Sequence, residues 1–448
     1  MTTERPGRRR TLPPPMTPPF PRAVATWVGR SAELARALEL LAGETLHLFY
    51  GVGGVGKSEL VFKLVEEAQR QPRWADAPAV VLSAQPGLGA AHLAAALEAQ
   101  LGARRRRLTF ATGGTVRDDL ADIAGALEAH PALVFLDDLH HLDPAEAADL
   151  LGYLSRHVRA SRLLVASRRE LTLPAGAPPP IIHRLGPLDA GATADLVRQL
   201  AARMGVSAPD AGAVFRRSGG SPFYVLRELA GDADKSGGLD DTVRALAPEA
   251  RQMLLALASS RGRATVADAP ALGGPGGAEV LRELTRQLLV DVGRGATMVH
   301  DLVRDAIGRV ASRRERAAAH RQLAELALAQ AGDGLRPATA ADAPAFVDAI
   351  QHLLAAGDVD EAWTRCQDHY RVIAAAGLDH LLVESLRALA EAVDDARDAI
   401  GTMLARILVR RSLMAEAGEV LATLSAGARG SLRGLRLAAE VARRRGRL

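Results

Sequence analysis

Hydrophobic and polar positions along the chain fall into two rhythms. Short apolar runs occupy residues 46–50 (LHLFY), 79–83 (AVVLS), 132–136 (ALVFL) and 161–167 (SRLLVAS). Runs of that length, rich in branched side chains, predict strands buried on both faces, as in a parallel sheet. Between them apolar residues recur every three or four positions. That spacing predicts a helix ending at Leu41 with Ser31 as its N-cap, one opening after Gly56, and others over 90–101, 116–128 and 188–204, the last introduced by Asp189. Residues 174–180 read as a Pro-rich loop, while Gly219-Gly220 closes one helix and Pro222 opens the next.

After a Gly/Asp/Ser-rich linker at 231–241 the pattern changes. Helices are expected over 242–258, 266–272 and 278–289, then two short strands at 289–292 and 297–299 and a helix over 302–310, the layout of a winged helix. From about residue 317 the chain is helical throughout, with breaks expected at Gly357, Gly377, Gly401 and Ala426–Gly430. The whole predicts an α/β core with a parallel sheet, a helical lid, a winged helix and an α-helical solenoid.

The first strand-to-helix junction carries chemistry. Gly51, Gly56, Lys57 and Ser58 fit the strand–G-x-x-x-x-G-K-[ST]–helix pattern of a phosphate-binding loop. Glycines let successive backbone N–H groups turn onto phosphate oxygens, and the new helix adds its positive end beneath them. The expected nucleotide contacts are Gly51, Gly53, Gly54, Val55, Gly56, Lys57, Ser58 and Glu59, with Lys57 on the β- and γ-phosphates and Ser58 on Mg²⁺. Only three of the 56 Lys and Arg residues are lysines (Lys57, Lys63, Lys235), so a flexible ammonium at Lys57 departs from the chain's default cation.

The run at 132–136 ends in Asp137 and Asp138, acids delivered to the C-terminal edge where α/β sheets bind ligands. Asp137 is the expected Mg²⁺ ligand and Asp138 the residue that orients or deprotonates the attacking water. Arg168, at the end of the next run, is placed to sense the γ-phosphate. His140 and His141 read as polar helix-start residues, because no cysteine or third histidine is spaced to complete a metal site. The basic run Arg104–Arg107 reads as a solvated helix end.

Composition narrows the setting without changing the picture. With 448 residues, 48% hydrophobic and 24% charged, the chain is an ordinary globular protein of about three domains. A net charge of +4, spread along the sequence, does not mark a nucleic-acid surface. The single cysteine, Cys366, excludes intramolecular disulfides and points to a reducing cytoplasm. No apolar run approaches ~18 residues, so no membrane span is expected. Residues 1–22, rich in proline and arginine, read as a disordered leader.

Taken in order, the phosphate loop, the double aspartate, Arg168 and the Gly220-Ser221-Pro222 turn resemble those of STAND-class ATPases. That class includes plant NB-ARC resistance proteins, animal apoptosome scaffolds and large bacterial LuxR-type regulators. Two further elements carry the resemblance, which covers residues 23–312: Val28-Gly29-Arg30 followed by Glu33, and Met298-Val299-His300-Asp301. It implies that Val28, Gly29 and Arg30 pack against the adenine and that Pro222 caps it. It also implies that His300 contacts the β-phosphate of ADP while Asp301 braces the winged helix. Read from the residues alone, His300-Asp301 is an N-cap for the helix that follows.

The expected domains are the leader 1–22, a nucleotide-binding domain 23–178, a helical lid 179–233, a winged helix 240–312 and tetratricopeptide-like repeats 313–448. The repeats rest on Arg411–Met414 matching Arg445–Leu448 at an offset of 34 residues, the tetratricopeptide period. The function implied is an ATP/ADP-controlled signalling switch with slow hydrolysis, a protein partner on the helical repeats and nucleotide-dependent self-assembly. Two other classes stay open. A DNA-binding regulator would need a basic third helix, yet Glu279, Arg282, Glu283 and Arg286 carry mixed signs. A metabolic P-loop kinase would need an acceptor site in place of the helical tail.

Overall fold

The computed structural model describes residues 27–84, 89–104, 116–230, 238–260, 264–293, 296–332, 337–411 and 413–445. The expected leader, Arg105–Arg107, most of the 231–241 linker, and Ser412 and 446–448 of the 34-residue match lie outside the described residues. Contacts divide the rest into two compact units. One contains residues 27–97 and 123–316, the other 98–122 and 317–445.

The first unit is built on five parallel strands in the order β2-β3-β4-β1-β5: β1 Leu46–Tyr50, β2 Ala79–Ser83, β3 Leu133–Asp137, β4 Arg162–Ser167 and β5 Ile181–Arg184. In β1 and β4 every residue is buried, as continuous apolar runs require. Helices α1 (Ser31–Leu41) and α2 (Lys57–Gln69) share a core with the sheet in which Leu60, Val61, Leu64 and Val65 meet Phe49, Phe135 and Leu164. Register sets the site: Tyr50 of β1 pairs with Ser167 of β4, and Asp137 of β3 with Ser83 of β2. The residues that follow β1, β3 and β4 therefore emerge along one edge, with β4 between the other two.

Helices α3 (Ala90–Arg104), α4 (Val116–Ala129) and α5 (Pro144–His157) connect the strands. Beyond the sheet, α6 (Ala190–Met204), α7 (Ala211–Ser218) and α8 (Pro222–Leu229) bury Leu196, Val214 and Val225 together. Next come α9 (Leu239–Arg244), α10 (Pro248–Ser259), α11 (Ala269–Gly273) and α12 (Gly277–Arg286). The antiparallel pair β6 (Asp291–Gly293) and β7 (Ala296–Met298) leads into α13 (Asp301–Val310). The single helix expected over 242–258 is two, because Pro248 lacks the N–H to continue a helix and opens a new one at N1. Asp189, as expected, caps α6 by accepting from the Ala192 N–H at 2.7 Å.

The helix α14 (Arg313–Ala331) is followed by the other unit's helices: α15 (Ala343–Ala356), α16 (Val359–Ala375), α17 (Val383–Ala392), α18 (Arg397–Arg410), α19 (Met414–Thr423), α20 (Ala426–Gly430) and α21 (Leu432–Arg444). Consecutive helices pack on one another, α15 on α16, α17 on α18, α18 on α19. Gly357 ends α15 in a left-handed cap, as expected. Two expected breaks are corrected. Gly401 lies inside α18 because Leu424 packs 2.6 Å from where its Cβ would be, and 426–430 forms a helix of its own capped by Ser425.

Candidate functional site

Between β1 and α2 the chain makes the expected loop. Gly54 (φ +75°) and Gly56 (φ +93°) are left-handed, a region that side chains with a Cβ rarely enter, so glycine is required there. Lys57 opens α2 only 7% exposed, and its Nζ donates to the Gly51 and Val52 carbonyls at 2.9 and 3.1 Å. Burial lowers its pKa from the usual lysine range, against the pull of Asp138 and Asp137. A buried ammonium held by two carbonyls is charge awaiting a better acceptor, and a phosphate is one.

The acids of β3 stand opposite. Ser58 Oγ donates to Asp137 Oδ1 at 3.0 Å, and the Asp138 N–H donates to the same oxygen at 2.9 Å. Burial pushes the Asp137 carboxyl up to about 7. A hydroxyl and a carboxylate converging here form a hard-oxygen donor set that fits Mg²⁺. Asp138 has φ +54°, a left-handed position that Asp tolerates better than most residues. Burial, and then the charges of Asp137 and Asp301, hold its carboxyl well above the usual range.

The junction of the whole edge is Asp301, 7% exposed at the start of α13. Its carboxylate receives Arg304 at 2.7 Å, Arg168 at 3.1 Å, and the Nε2 atoms of His140 and His141 at 3.2 Å each. Burial alone would raise its pKa, but the close approach of the two histidines and the Arg304 charge hold it well below the usual carboxylate range. Arg168 also pairs with Asp305 one turn on. Several of these atoms are close yet misaligned. Asp301 Oδ2, Arg168 Nη2 and both ring nitrogens of His140 are buried with no aligned partner among the described residues. His140, His141 and Asp301 offer donors within 4.8 Å of one another. Two guanidinium groups already outweigh the carboxylate's single charge, which is the charge a cation would need.

These contacts correct the expectation for the two histidines. They lie in a 3₁₀ turn, Leu139–His141, and α5 begins later at Pro144 with Asp143 as its cap. Sequence reasoning missed Arg304 and Asp305 entirely, and it tied Asp301 only to its own module. The available signal was a pair of polar doublets, His140-His141 and His300-Asp301, each at an element end.

The remaining predicted residues gather around the loop. Arg30 donates to the Val55 carbonyl at 2.8 Å and the Gly186 carbonyl at 2.7 Å, and pairs with Glu33 at 3.1 Å. Gly29 is left-handed (φ +74°) against Ala192, while Val28 packs on the α6–α8 core. Arg30, Pro222 and Glu59 all come within 4.0 Å of where a Cβ on Gly56 would lie. Ser221 Oγ donates to the Gly54 carbonyl at 3.2 Å, and Leu302 and Phe223 pack within 2.9 Å of the corresponding point on Gly54. His300 stacks on Phe223 with centroids 4.4 Å apart and caps α13, its Nδ1 accepting the Leu302 N–H at 3.1 Å. His300 is exposed, and the protein atoms packed around its ring lower its pKa to about 4 against the pull of Asp301.

Residues 26–166 match the family model described as AAA ATPase domain. That stretch is similar to an AAA ATPase domain. No curated protein matches the sequence. Among solved structures it is similar to a Signal Transduction ATPase with Numerous Domains (STAND) protein with a tetratricopeptide repeat sensor from Pyrococcus horikoshii. The TM-score is 0.69 at 16% identity, over 96% of this chain and 63% of that one, so the chain spans under two thirds of that neighbour's length. A Walker-type ATPase of Pyrococcus abyssi matches 65% of this chain and 98% of its own at 15% identity, with a TM-score of 0.36. The fold is thus similar to that neighbour's, a parallel-sheet core followed by a long helical part. No helix among the described residues is long and apolar enough to cross a membrane.

Proposed function

We propose that the protein is an ATP/ADP-controlled switch that transmits a signal through conformation or assembly. The observation that carries this reading is that α8 and α13, from two separate modules, both close on the phosphate loop. α8 does so through Ser221 and Phe223 at Gly54. α13 does so through Leu302 at Gly53 and Gly54, and through Asp301 and Asp305 at Arg168. A metabolic kinase has no use for a distant helix gripping the residue expected to sense the γ-phosphate.

In this reading Gly51, Gly53, Gly54, Val55, Gly56, Lys57, Ser58 and Glu59 cradle the phosphates, and Val28, Gly29, Arg30 and Pro222 enclose the base. Ser58 and Asp137 hold Mg²⁺, which supplies charge neutralisation at the phosphates when bound. Asp138 orients the attacking water. His300 donates to the β-phosphate of ADP, its helix-cap bond leaving Nε2 free for that role. Arg168 is shared between α13 and the γ-phosphate, so ATP competes with Asp301 and Asp305 and loosens α13. A nucleotide shifts the balance only by binding one state better than the other.

The module limits are residues 23–178, a lid at 179–233, a winged helix at 240–312 and tetratricopeptide-like repeats from 313. A protein partner on the repeats and nucleotide-dependent self-association complete the switch, in a reducing cytoplasm where the buried Cys366, its thiol pushed up to about 12 by burial, stays unreactive. The winged helix is read as structural, because Arg282 and Arg286 of α12 are engaged by Glu279 and Glu283 of the same helix.

Calorimetric titration of ADP and ATP tests the reading. Hydrogen bonds to charged groups contribute about 1.5–3 kcal/mol each, so Lys57→Ala should cost ~100-fold or more in both affinities. His300→Ala should weaken ADP roughly 10- to 150-fold and leave ATP nearly unchanged. A folded Lys57→Ala protein with native affinities would end the proposal.

A further inference from the structure

His300 is held by two contacts of different kinds, and the second has no role in the reading so far. The Leu302 N–H donates to Nδ1 at 3.1 Å, so in the neutral ring the proton sits on Nε2. That bond fixes the tautomer but only one edge of the ring. A turn about the Cβ–Cγ bond would break it and bring a carbon to the same place. Against that turn stands Phe223, stacked on the imidazole at 4.4 Å between centroids and 24° between planes. Phe223 is itself fixed. Its backbone N–H donates to the Gly54 carbonyl at 3.4 Å, and its Cβ lies 2.9 Å from where a Cβ on Gly54 would be. Leu302, next to His300, packs on Gly53 and Gly54 as well. The phosphate loop, the start of α8 and the start of α13 therefore orient one ring together.

We propose that Phe223 is a positioning residue for His300: stacked on the imidazole and anchored to Gly54, it keeps the Nε2–H donor aimed at the diphosphate held by the loop. This rests on the reading of His300 as an ADP contact. Offset stacking suits the purpose because it limits ring rotation without competing for either nitrogen. A donor already aimed loses little freedom when the phosphate arrives, so the benefit appears as ADP affinity. The protein atoms packed around the ring, with Arg168, Lys57 and Arg304 acting against the opposing charge of Asp301, favour the neutral form, which keeps Nδ1 available to Leu302 near neutral pH.

The test uses the full chain with Phe223→Leu, which keeps apolar volume but removes the ring face, and Phe223→Tyr, which restores it. ADP affinity should fall ~2- to 12-fold in Phe223→Leu, the size of an aromatic stack, and return in Phe223→Tyr, with ATP affinity unchanged throughout. Nitrogen-15 spectra of the His300 ring should show the Nε2–H tautomer in the native chain and in Phe223→Tyr, and a tautomer mixture in Phe223→Leu. In a His300→Ala background, Phe223→Leu should have no further effect. If it weakens ADP equally there, Phe223 acts through Gly54 and the proposal is overturned. Native ADP affinity in Phe223→Leu overturns it too. His300→Ala, run alongside, separates the outcomes: if His300→Ala keeps native ADP affinity, the underlying reading has failed, whereas if only Phe223→Leu is silent, the positioning role alone has failed.

Discussion

The two edges of the parallel sheet bury polar groups in opposite ways. At the N-terminal edge Arg162, the first residue of β4, is 2% exposed and spends its donors on backbone: the carbonyls of Leu41 at 2.6 Å and of Ala42, Arg159 and Ser161 at 2.9 Å. Its guanidinium also lies 5.2 Å from the Trp74 ring centroid. At the C-terminal edge Arg168, just beyond the same strand, meets side chains, Asp301 and Asp305, and one of its nitrogens is left without an aligned partner. Carbonyls of a folded loop cannot leave, so the Arg162 network is fixed once the chain folds. Carboxylates on α13, a helix more than 130 residues further along the chain, are held by side-chain contacts alone, so in the proposed switch the Arg168 network is the one exchanged for a ligand. Burial of an arginine does not mark a site. What marks it is whether its partners are able to move.

The strongest way to break this contrast is at the exchangeable edge. Asp138→Asn removes the acid but keeps a residue that accepts the left-handed φ of +54°. Positioned general-base groups contribute ~10²–10⁴-fold, so ATP hydrolysis should drop by that order while the melting temperature and Mg-ATP affinity change little. Native turnover in Asp138→Asn, measured by phosphate release, would remove Asp138 from the site.

The fixed edge should respond in the reverse sense. Arg162→Leu leaves the buried carbonyls of Leu41 and Ser161 to find other partners, and unmet buried acceptors cost ~1–3 kcal/mol each before relaxation. A loss of about 3–5 kcal/mol in urea unfolding is expected, with nucleotide affinity of the folded fraction unchanged. If nucleotide affinity fell while stability held, the two edges would be communicating and the contrast would be wrong.

The same distinction explains what the sequence disclosed. The phosphate loop was legible because its backbone admits only glycine at Gly54 and Gly56 and its chemistry demands a cation at Lys57. Asp137 and Asp138 were legible as acids at the end of an apolar run. The strand β5 was not, because Ile181–Arg184 is a four-residue edge strand after a Pro-rich loop, with exposure at Ile182 and Arg184 breaking the apolar run. Nor was the Asp301 junction legible, since His141 and Asp301 are 160 residues apart and neither belongs to a periodic pattern the other completes. Local geometry writes itself into local sequence, whereas exchangeable contacts between modules leave only isolated polar residues at element ends.

The smallest effect lies in a buried histidine pair between β1 and β5. His47 of β1 donates from Nε2 to the Glu44 carbonyl at 3.2 Å, so its Nδ1 accepts from Nε2 of His183 in β5 at 3.1 Å. A proton added to His47 would set two N–H groups against each other, and Arg162 beside His47 and Arg36 near His183 oppose it further. Burial is the first cause, and with these charges it lowers both rings to about 4. A histidine whose folded pKa is lowered takes up its proton more readily when unfolded. Stability is therefore complete above about 6.5 and declines as the pH falls from there toward 4. One such ring should cost roughly 1–1.5 kcal/mol by about pH 5.5, read as a falling urea midpoint. His183→Gln keeps an N–H donor for His47 and does not titrate, so its midpoint should fall less steeply over the same window. Equal slopes for the variant and the native chain would mean that the acid sensitivity arises elsewhere, and the exchangeable carboxylates of the opposite edge would be the next place to look.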